Sequence, residues 1–262
     1  MTELGLQIWS LWQRELKRFA RQRSRLIGAL LQPVVFWLLL GAGLGGAFRP
    51  TGAAARMTYM EYFYPGVIVL VLLFTAIFST ISTIEDRREG FLQGVVVAPI
   101  SPAVIVLGQA LGSTTLALCE GSVFLALAPA AGISLTPAGI LATTATMTLI
   151  AFALTGLGLA LAWRMESTQG FHAIMNLILI PIWLLSGAFF PSVGVPGWLR
   201  AVMSVNPLTY AMELLRKSLY LQSLHLDVGS GQTGLAIGVT VAFSLLTVTL
   251  AISVARRGLP AS

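Results

Sequence analysis

Cysteine occurs once in these 262 residues, at Cys119, histidine twice, at His172 and His225, and lysine twice, at Lys17 and Lys217. One cysteine excludes a disulfide framework, and Cys and His positions this far apart offer no metal-ligand spacing. Neither lysine sits in a Gly-Lys-Ser/Thr sequence, so the chain has no phosphate-binding loop of that kind. Charge is scarce as well: 10% of residues are charged, against roughly 25% in an ordinary soluble domain. With a mean hydropathy of +0.85, the chain has too little polar surface for a soluble enzyme. Glu166, His172 and Glu213 are isolated and form no triad or dyad. No catalytic residue, metal or cofactor is therefore expected. The net charge of +6 is clustered between apolar runs instead of lining a groove-binding element, so no nucleic-acid partner is expected either.

What the chain has in abundance is long apolar runs. A spanning helix needs about 20 apolar residues, and six runs of that size are present: 26–47, 65–84, 103–130, 139–162, 173–190 and 234–255. Backbone hydrogen bonding in lipid makes these helices, so the predicted fold is an all-α, polytopic membrane protein. Lys and Arg are retained on the cytoplasmic side during insertion. Eleven fall on one face (Arg14, Lys17, Arg18, Arg21, Arg23, Arg25, Arg87, Arg88, Arg164, Arg256, Arg257) and five on the other (Arg49, Arg56, Arg200, Arg216, Lys217). That bias puts both termini in the cytoplasm, with Arg216 and Lys217 as the exception. The basic region before the first run is too long for the leading part of a signal peptide, so an uncleaved inner-membrane protein is expected.

Three segments outside the runs carry pattern. In residues 8 to 25, Ile8, Trp9, Trp12, Leu16, Phe19 and Ala20 fall on one arc, and Gln13, Arg14, Lys17, Arg18, Arg21 and Arg25 on the other. Such a helix suits the headgroup layer, as an anchor or as part of a gate. Between the second and third runs, five consecutive charges, Glu85 to Glu89, are expected to stop the second span. They precede a short apolar stretch bounded by Gly90 and Pro99. This is either a docking element for a soluble partner or a solvated loop with a lipid-facing stripe. Residues 191 to 232 are too few for an independent core. Within them Asn206-Pro207 divides an apolar stretch into two short helices, neither able to span, with Arg216 and Lys217 snorkelling to the outer headgroups.

Glu120 is the one acid inside a predicted span, roughly 25 Å from its inner end at about 1.5 Å per residue. It is either a functional carboxylate, as substrate contact or proton site, or an interfacial residue, or one hydrogen-bonded to a neighbouring helix through Ser113, Thr114, Thr115 or Ser122. Gly41/Gly45, Gly108/Gly112 and Gly234/Gly238 have GxxxG spacing, expected to serve packing within the chain.

The order of these parts, with Glu89-Gly90-Phe91, Val97-Ala98-Pro99-Ile100-Ser101 and Asn206-Pro207-Leu208-Thr209-Tyr210, resembles the ABC-2 family. These are the membrane-spanning subunits of bacterial ATP-binding-cassette exporters, such as those for antibiotics, nodulation factors and O-antigen polysaccharides. The likeness covers essentially the whole chain as one transmembrane domain, residues 1–262, and its most specific piece is 85–101. It implies a cytoplasmic coupling helix there, with Glu85, Arg87, Arg88, Glu89, Gly90 and Phe91 meeting an ATPase subunit. It also implies external re-entrant helices hinged at Asn206, Pro207 and Tyr210. The functional unit would be two such chains, identical or similar, with two ATPases in the bacterial inner membrane. Glu120, Phe78 and Phe124 are the expected path residues. Phe74 and Phe152 are also scattered in the spans, while tyrosine is nearly confined to loops. That favours a hydrophobic drug-like or lipid-like cargo, or a lipid-linked glycan, over a path built for sugar stacking. The competing reading is a stand-alone proton-coupled transporter working through Glu120.

Overall fold

The computed structural model describes residues 3–20, 23–46, 57–90, 101–192, 194–221 and 230–258. Among them every regular element is helical: α1 (Glu3–Ala20), α2 (Arg23–Leu44), α3 (Tyr59–Phe78), α4 (Ile81–Arg88), α5 (Pro102–Leu127), α6 (Pro137–Ala162), α7 (Thr168–Trp183), α8 (Gly197–Val205), α9 (Pro207–Leu219) and α10 (Ser230–Gly258). Among the described residues, five helical stretches are long and apolar enough to cross a membrane: Tyr59–Arg88, Pro102–Ala131, Pro137–Ala162, Thr168–Ala188 and Thr233–Arg257. The remaining expected span, 26–47, is helix α2, in which Leu30–Leu44 is the apolar part.

Spans begin where side chains replace missing helical partners. Ser101, Thr136 and Ser167 each accept a hydrogen bond from the backbone N–H three residues on, and Pro102 and Pro137 sit in the first turn where no N–H is needed. The second span starts six residues earlier than expected, because Thr58 and Glu61 form a reciprocal capping box. Pro65 is thereby carried inside α3, and Tyr59, Tyr62 and Tyr64 are core residues of a span, not loop residues. A proline leaves the carbonyl four residues before it without its helical donor. Here that carbonyl belongs to Glu61, and the Tyr220 hydroxyl donates to it at 2.6 Å.

The run of charges does not stop the second span either. After a bend at Ser79 and Thr80, α4 carries the chain through Arg88, and Gly90 ends it with φ of +74°. Residues 91–100, which include Phe91 and most of the expected coupling helix, lie outside the described residues.

Contacts set the direction of each helix. Gly28 and Phe19 share a cavity with Phe78, and Gly41 packs on Met60, so α2 and α3 run antiparallel. Phe124 at the far end of α5 accepts from Tyr64. Leu159, Trp163, Val254 and Ala255 join Val104 in one cluster, which places the ends of α6 and α10 beside the start of α5. The spans therefore alternate, and α1, α4, Arg164, Arg256 and Arg257 gather at one end, the arginine-rich end. At the heart of the bundle is α3, 89% buried over its most apolar window, whereas α10 is only 33% buried and forms an outer wall.

Helix α1 is described over Glu3–Ala20, and residues 23–25 of the expected amphipathic segment belong to α2, with 21 and 22 outside the described residues. Its buried face is Leu11, Glu15 and Phe19, and it lies along α5. A Cβ at Gly108 would stand 2.7 Å from the Leu11 Cβ, and one at Gly112 2.7 Å from the Glu15 Cβ. The Trp12 indole donates to Thr115 at 3.0 Å, while Trp9 remains half exposed. The apolar arc is thus divided between the protein and its surroundings. Gly41 likewise serves internal packing against Met60, but Gly234 and Gly238 face open space.

Gly112→Val should dislodge α1 from α5. Overpacking of this kind costs about 1–3 kcal/mol, to be read as a lower midpoint of thermal unfolding in detergent, with Ala110→Gly on the same helix as a cavity-forming control.

Candidate functional site

At the arginine-rich end, charges meet in a compact cluster. Asp86, 2% exposed, accepts from Arg14 through one carboxylate oxygen and from Arg18 through the other, the latter at 2.9 Å. Arg18 also pairs with Glu85. Buried Glu15 lies beside them, and its carboxyl is held above the ordinary value of 4.5 by burial first and by the negative charge of Asp86, against the pull of Arg14 and Arg18. Arg87 turns the other way. It donates to the Trp163 carbonyl at 2.7 Å, approaches those of Ala162 and Met165 at 3.4 Å, and lies over the Trp163 ring. A cation there offsets the negative end of α6.

Of the residues expected to meet a soluble partner, Glu85 and Arg87 are therefore tied into this chain. Arg88 and Glu89 point outward and Gly90 is partly covered. That the basic arc of α1 is complementary to the acids of α4 was not legible in the sequence, because the residues lie some 70 positions apart.

A cavity of about 280 Å³ opens nearby, between α1, α2, α3 and α7. Phe74 and Phe78 stack at 5.4 Å, and His172 lies against Phe78 at 4.7 Å. Phe19, Gln32, Thr75 and Ser79 complete most of the lining. Phe78 was expected here; Phe74, Thr75 and His172 are added by the fold. The spacing Phe74, Thr75, Phe78 places all three on one side of α3, and this was the available signal. Glu120 does not line the cavity. It is 3% exposed, and one of its oxygens accepts from Thr75, a residue of the cavity wall on another helix. Phe124 is 1% exposed in the main core, away from the cavity.

The opposite end is closed by aromatic packing and by a broken helix. Phe63 is in ring contact with Tyr59, Trp183 and Phe189 at centroid distances of 5.7, 6.0 and 5.7 Å. Helix α7 contains Pro181 and loosens into a π-turn over Leu184–Ala188, where Gly187 has φ of +81°. Asn206 separates α8 from α9 as expected. Its side-chain oxygen accepts from the Leu208 N–H at 3.0 Å, capping α9. Pro207 occupies the first position of α9, and the Tyr210 hydroxyl donates to Ser204 at 2.9 Å, clipping α9 to α8. Arg216 and Lys217 do not snorkel outward. Arg216 donates to the Gly187 carbonyl at 3.1 Å and lies 4.3 Å over the Tyr62 ring, and Lys217 pairs with Glu213 at 2.9 Å. Both cations have partners within the protein.

Comparison with known proteins adds the following. A family model described as ABC-2 type transporter matches residues 6–220. A protein named transport permease ycf38 in Cyanophora paradoxa is 26% identical over 213 residues, covering 80% of this chain and 73% of its own length. The daunorubicin resistance ABC transporter permease protein DrrB1 of Streptomyces coeruleorubidus is 23% identical, with 95% and 87% covered. Nodulation protein J of Sinorhizobium fredii is 23% identical, with 95% and 93% covered.

The charge cluster sets a pH dependence. Because the folded protein holds the Glu15 proton to higher pH than the unfolded chain, this group's contribution to stability is complete below about pH 4.5 and is lost as pH rises through the raised value. Glu15→Gln keeps the neutral form throughout. Its unfolding midpoint in detergent should exceed that of the parent at pH 7.5, and the gap should shrink as pH falls toward 4.5; a gap independent of pH would contradict this assignment.

Proposed function

The chain belongs to the ABC-2 type transporter family, and from that premise we propose that it forms the membrane path of an ATP-driven exporter, working as two copies, identical or similar, with two ATP-hydrolysing subunits. These residues hold the membrane permease domain and no nucleotide-binding motif, so the energy of ATP must enter through a contact. The observation that carries the reading is the asymmetry of the bundle. A cavity lies toward the arginine-rich end, and the other end is closed by Tyr59, Phe63, Trp183 and Phe189. By the charge rule the arginine-rich end is cytoplasmic, which makes this an inward-open path with its exit shut, in a bacterial inner membrane with both termini inside.

The coupling site is the corner after α4. Arg88, Glu89 and Gly90, continuing into Phe91, meet the ATPase. Glu85 and Arg87 act behind them, tying that corner to α1 and to the end of α6. A push on the corner is then delivered to three helices at once. For the cargo, paired phenylalanines, an imidazole and a few hydroxyl and amide groups suit a molecule with an aromatic or acyl body and a polar edge. A hydrophobic drug-like or lipid-like molecule, or the lipid part of a lipid-linked glycan, meets that description. The relative named for daunorubicin resistance supports a drug-like cargo. Glu120 braces the cavity wall through Thr75. The exposed apolar side chains of α2 and α7, among them Leu31, Leu39 and Leu177, are available to the second copy and to lipid.

Co-expression with candidate ATPase subunits from the same genome should give a complex that survives purification in detergent and hydrolyses ATP. Glu89→Arg should abolish the complex without changing the amount of chain in the membrane. Purification of the chain alone with every candidate would overturn the proposal.

A further inference from the structure

Among the described residues, those lining the cavity between α1, α2, α3 and α7 include no lysine, arginine, aspartate or glutamate. Its preference for charge is therefore set by dipoles and by what stands behind the wall. Two wall hydroxyls have their protons committed inside the protein: Thr75 donates to the Glu120 side chain, and Ser79 to the Ala76 carbonyl at 2.9 Å. A hydroxyl engaged in this way can only accept from a ligand. Gln32 and His172 are exposed and can present either a donor or an acceptor. Phe74 and Phe78 supply π-electron density, which attracts a cation within about 6 Å of a ring face. Behind Thr75 comes the acid. Thr75 and Glu120 are 4% and 3% exposed, so a carboxylate charge there is little screened by salt and water. The cations at this end of the bundle do not offset it, since Arg14 and Arg18 are paired with Asp86 and Glu85.

Resting on the exporter reading above, we propose that this cavity selects an organic cation, an amine or quaternary ammonium carried on an aromatic or acyl body, and that Glu120 supplies the compensating charge through Thr75. Glu120 is here a positioning residue: it does not touch the ligand, but it takes the Thr75 proton and so fixes the hydroxyl with its lone pairs toward the cavity. Donating to a carboxylate also raises the electron density on the Thr75 oxygen, because hydrogen bonds in a chain polarise one another. A cation in the cavity meets that oxygen, the Ser79 oxygen and the aromatic rings, all electron-rich. An anionic head group meets the same lone pairs with a carboxylate behind them, and a neutral molecule of the same shape gains only from burial. The volume of about 280 Å³ is near the lower end of the roughly 300–1,000 Å³ that small-molecule sites span. One copy of the chain thus takes a single ring system, or the charged head of a longer amphiphile.

The test is equilibrium binding to the full chain in nanodiscs of zwitterionic lipid, at about pH 8, where an ordinary imidazole is neutral. The probe is radiolabelled para-butyl trimethylanilinium. Its competitors are an uncharged isostere with tert-butyl in place of trimethylammonium and the corresponding benzenesulfonate, all corrected for partition into empty discs. The cation should bind saturably and at least about tenfold more tightly than the isostere, and the sulfonate should not compete. Glu120→Gln should weaken the cation by about tenfold, the size of one hydrogen bond to a charged group, while leaving the isostere unchanged; Glu120→Asp should recover part of the loss. A merely structural role for Glu120 would weaken both ligands alike. If Glu120→Gln fails to fold, Thr75→Val and Thr75→Ser decide, the first losing the preference for the cation and the second keeping it. Absence of saturable cation binding, equal affinity for cation and isostere, competition by the sulfonate, or equal losses of both ligands in the variants would overturn the proposal. No ATPase is present in this assay, so failure of the exporter reading appears separately, as failure to form the complex.

Discussion

In a bundle surrounded by lipid, a backbone carbonyl that loses its helical donor has no water to turn to. This constraint organises the molecule. Several irregularities in the spans are matched by a side chain from another element: Tyr220 at Glu61 before Pro65, Arg87 at the carbonyls ending α6, and Asn206, Tyr62 and Arg216 along the broken end of α7. Polar side chains that look misplaced in an apolar chain are therefore the donors that make its kinks affordable. The same bonds fix which elements can move together.

Two consequences follow for transport. At the arginine-rich end, the acids of α4 are neutralised by α1, so the corner that follows is rigidly connected to α1 and, through Arg87, to α6. At the other end, α9 is bonded to the broken end of α7 through Asn206 and Arg216, and both are bonded to α3, through Tyr220 and through Tyr62. The cavity lies between these two regions, with α3 as the common element. A motion imposed at the corner reaches the cavity wall at Phe74, Thr75 and Phe78 through a single helix interrupted only at Ser79 and Thr80.

Much of this was legible in the sequence. Apolar run lengths located the five stretches long and apolar enough to cross a membrane, while the sixth run corresponds to α2, whose apolar part, Leu30–Leu44, is shorter, and the arginine distribution anticipated their alternation. Asn206-Pro207 marked the break between α8 and α9. Helix ends shifted where capping outweighed proline, as at Thr58 and Glu61, which carried three tyrosines into α3. The site was less legible, because its parts come from distant segments. Glu120 stood out as an acid in a span, but its partner Thr75 lies 45 residues away. Arg14 and Arg18 read as lipid-facing charges until Asp86 was placed beside them. Periodicity shows which face of a helix is polar, not whether that face meets lipid headgroups or another helix.

Flux in sealed proteoliposomes tests the central claim most directly. Vesicles containing the chain with its ATPase partner, and vesicles containing the chain alone, are given an amphipathic fluorescent cation outside, with either ATP or an imposed pH gradient. The account predicts uptake that requires the ATPase and external ATP, and none by the chain alone. Uptake by the chain alone, driven by the pH gradient and lost in Glu120→Gln, would contradict it and establish a proton-coupled transporter in its place.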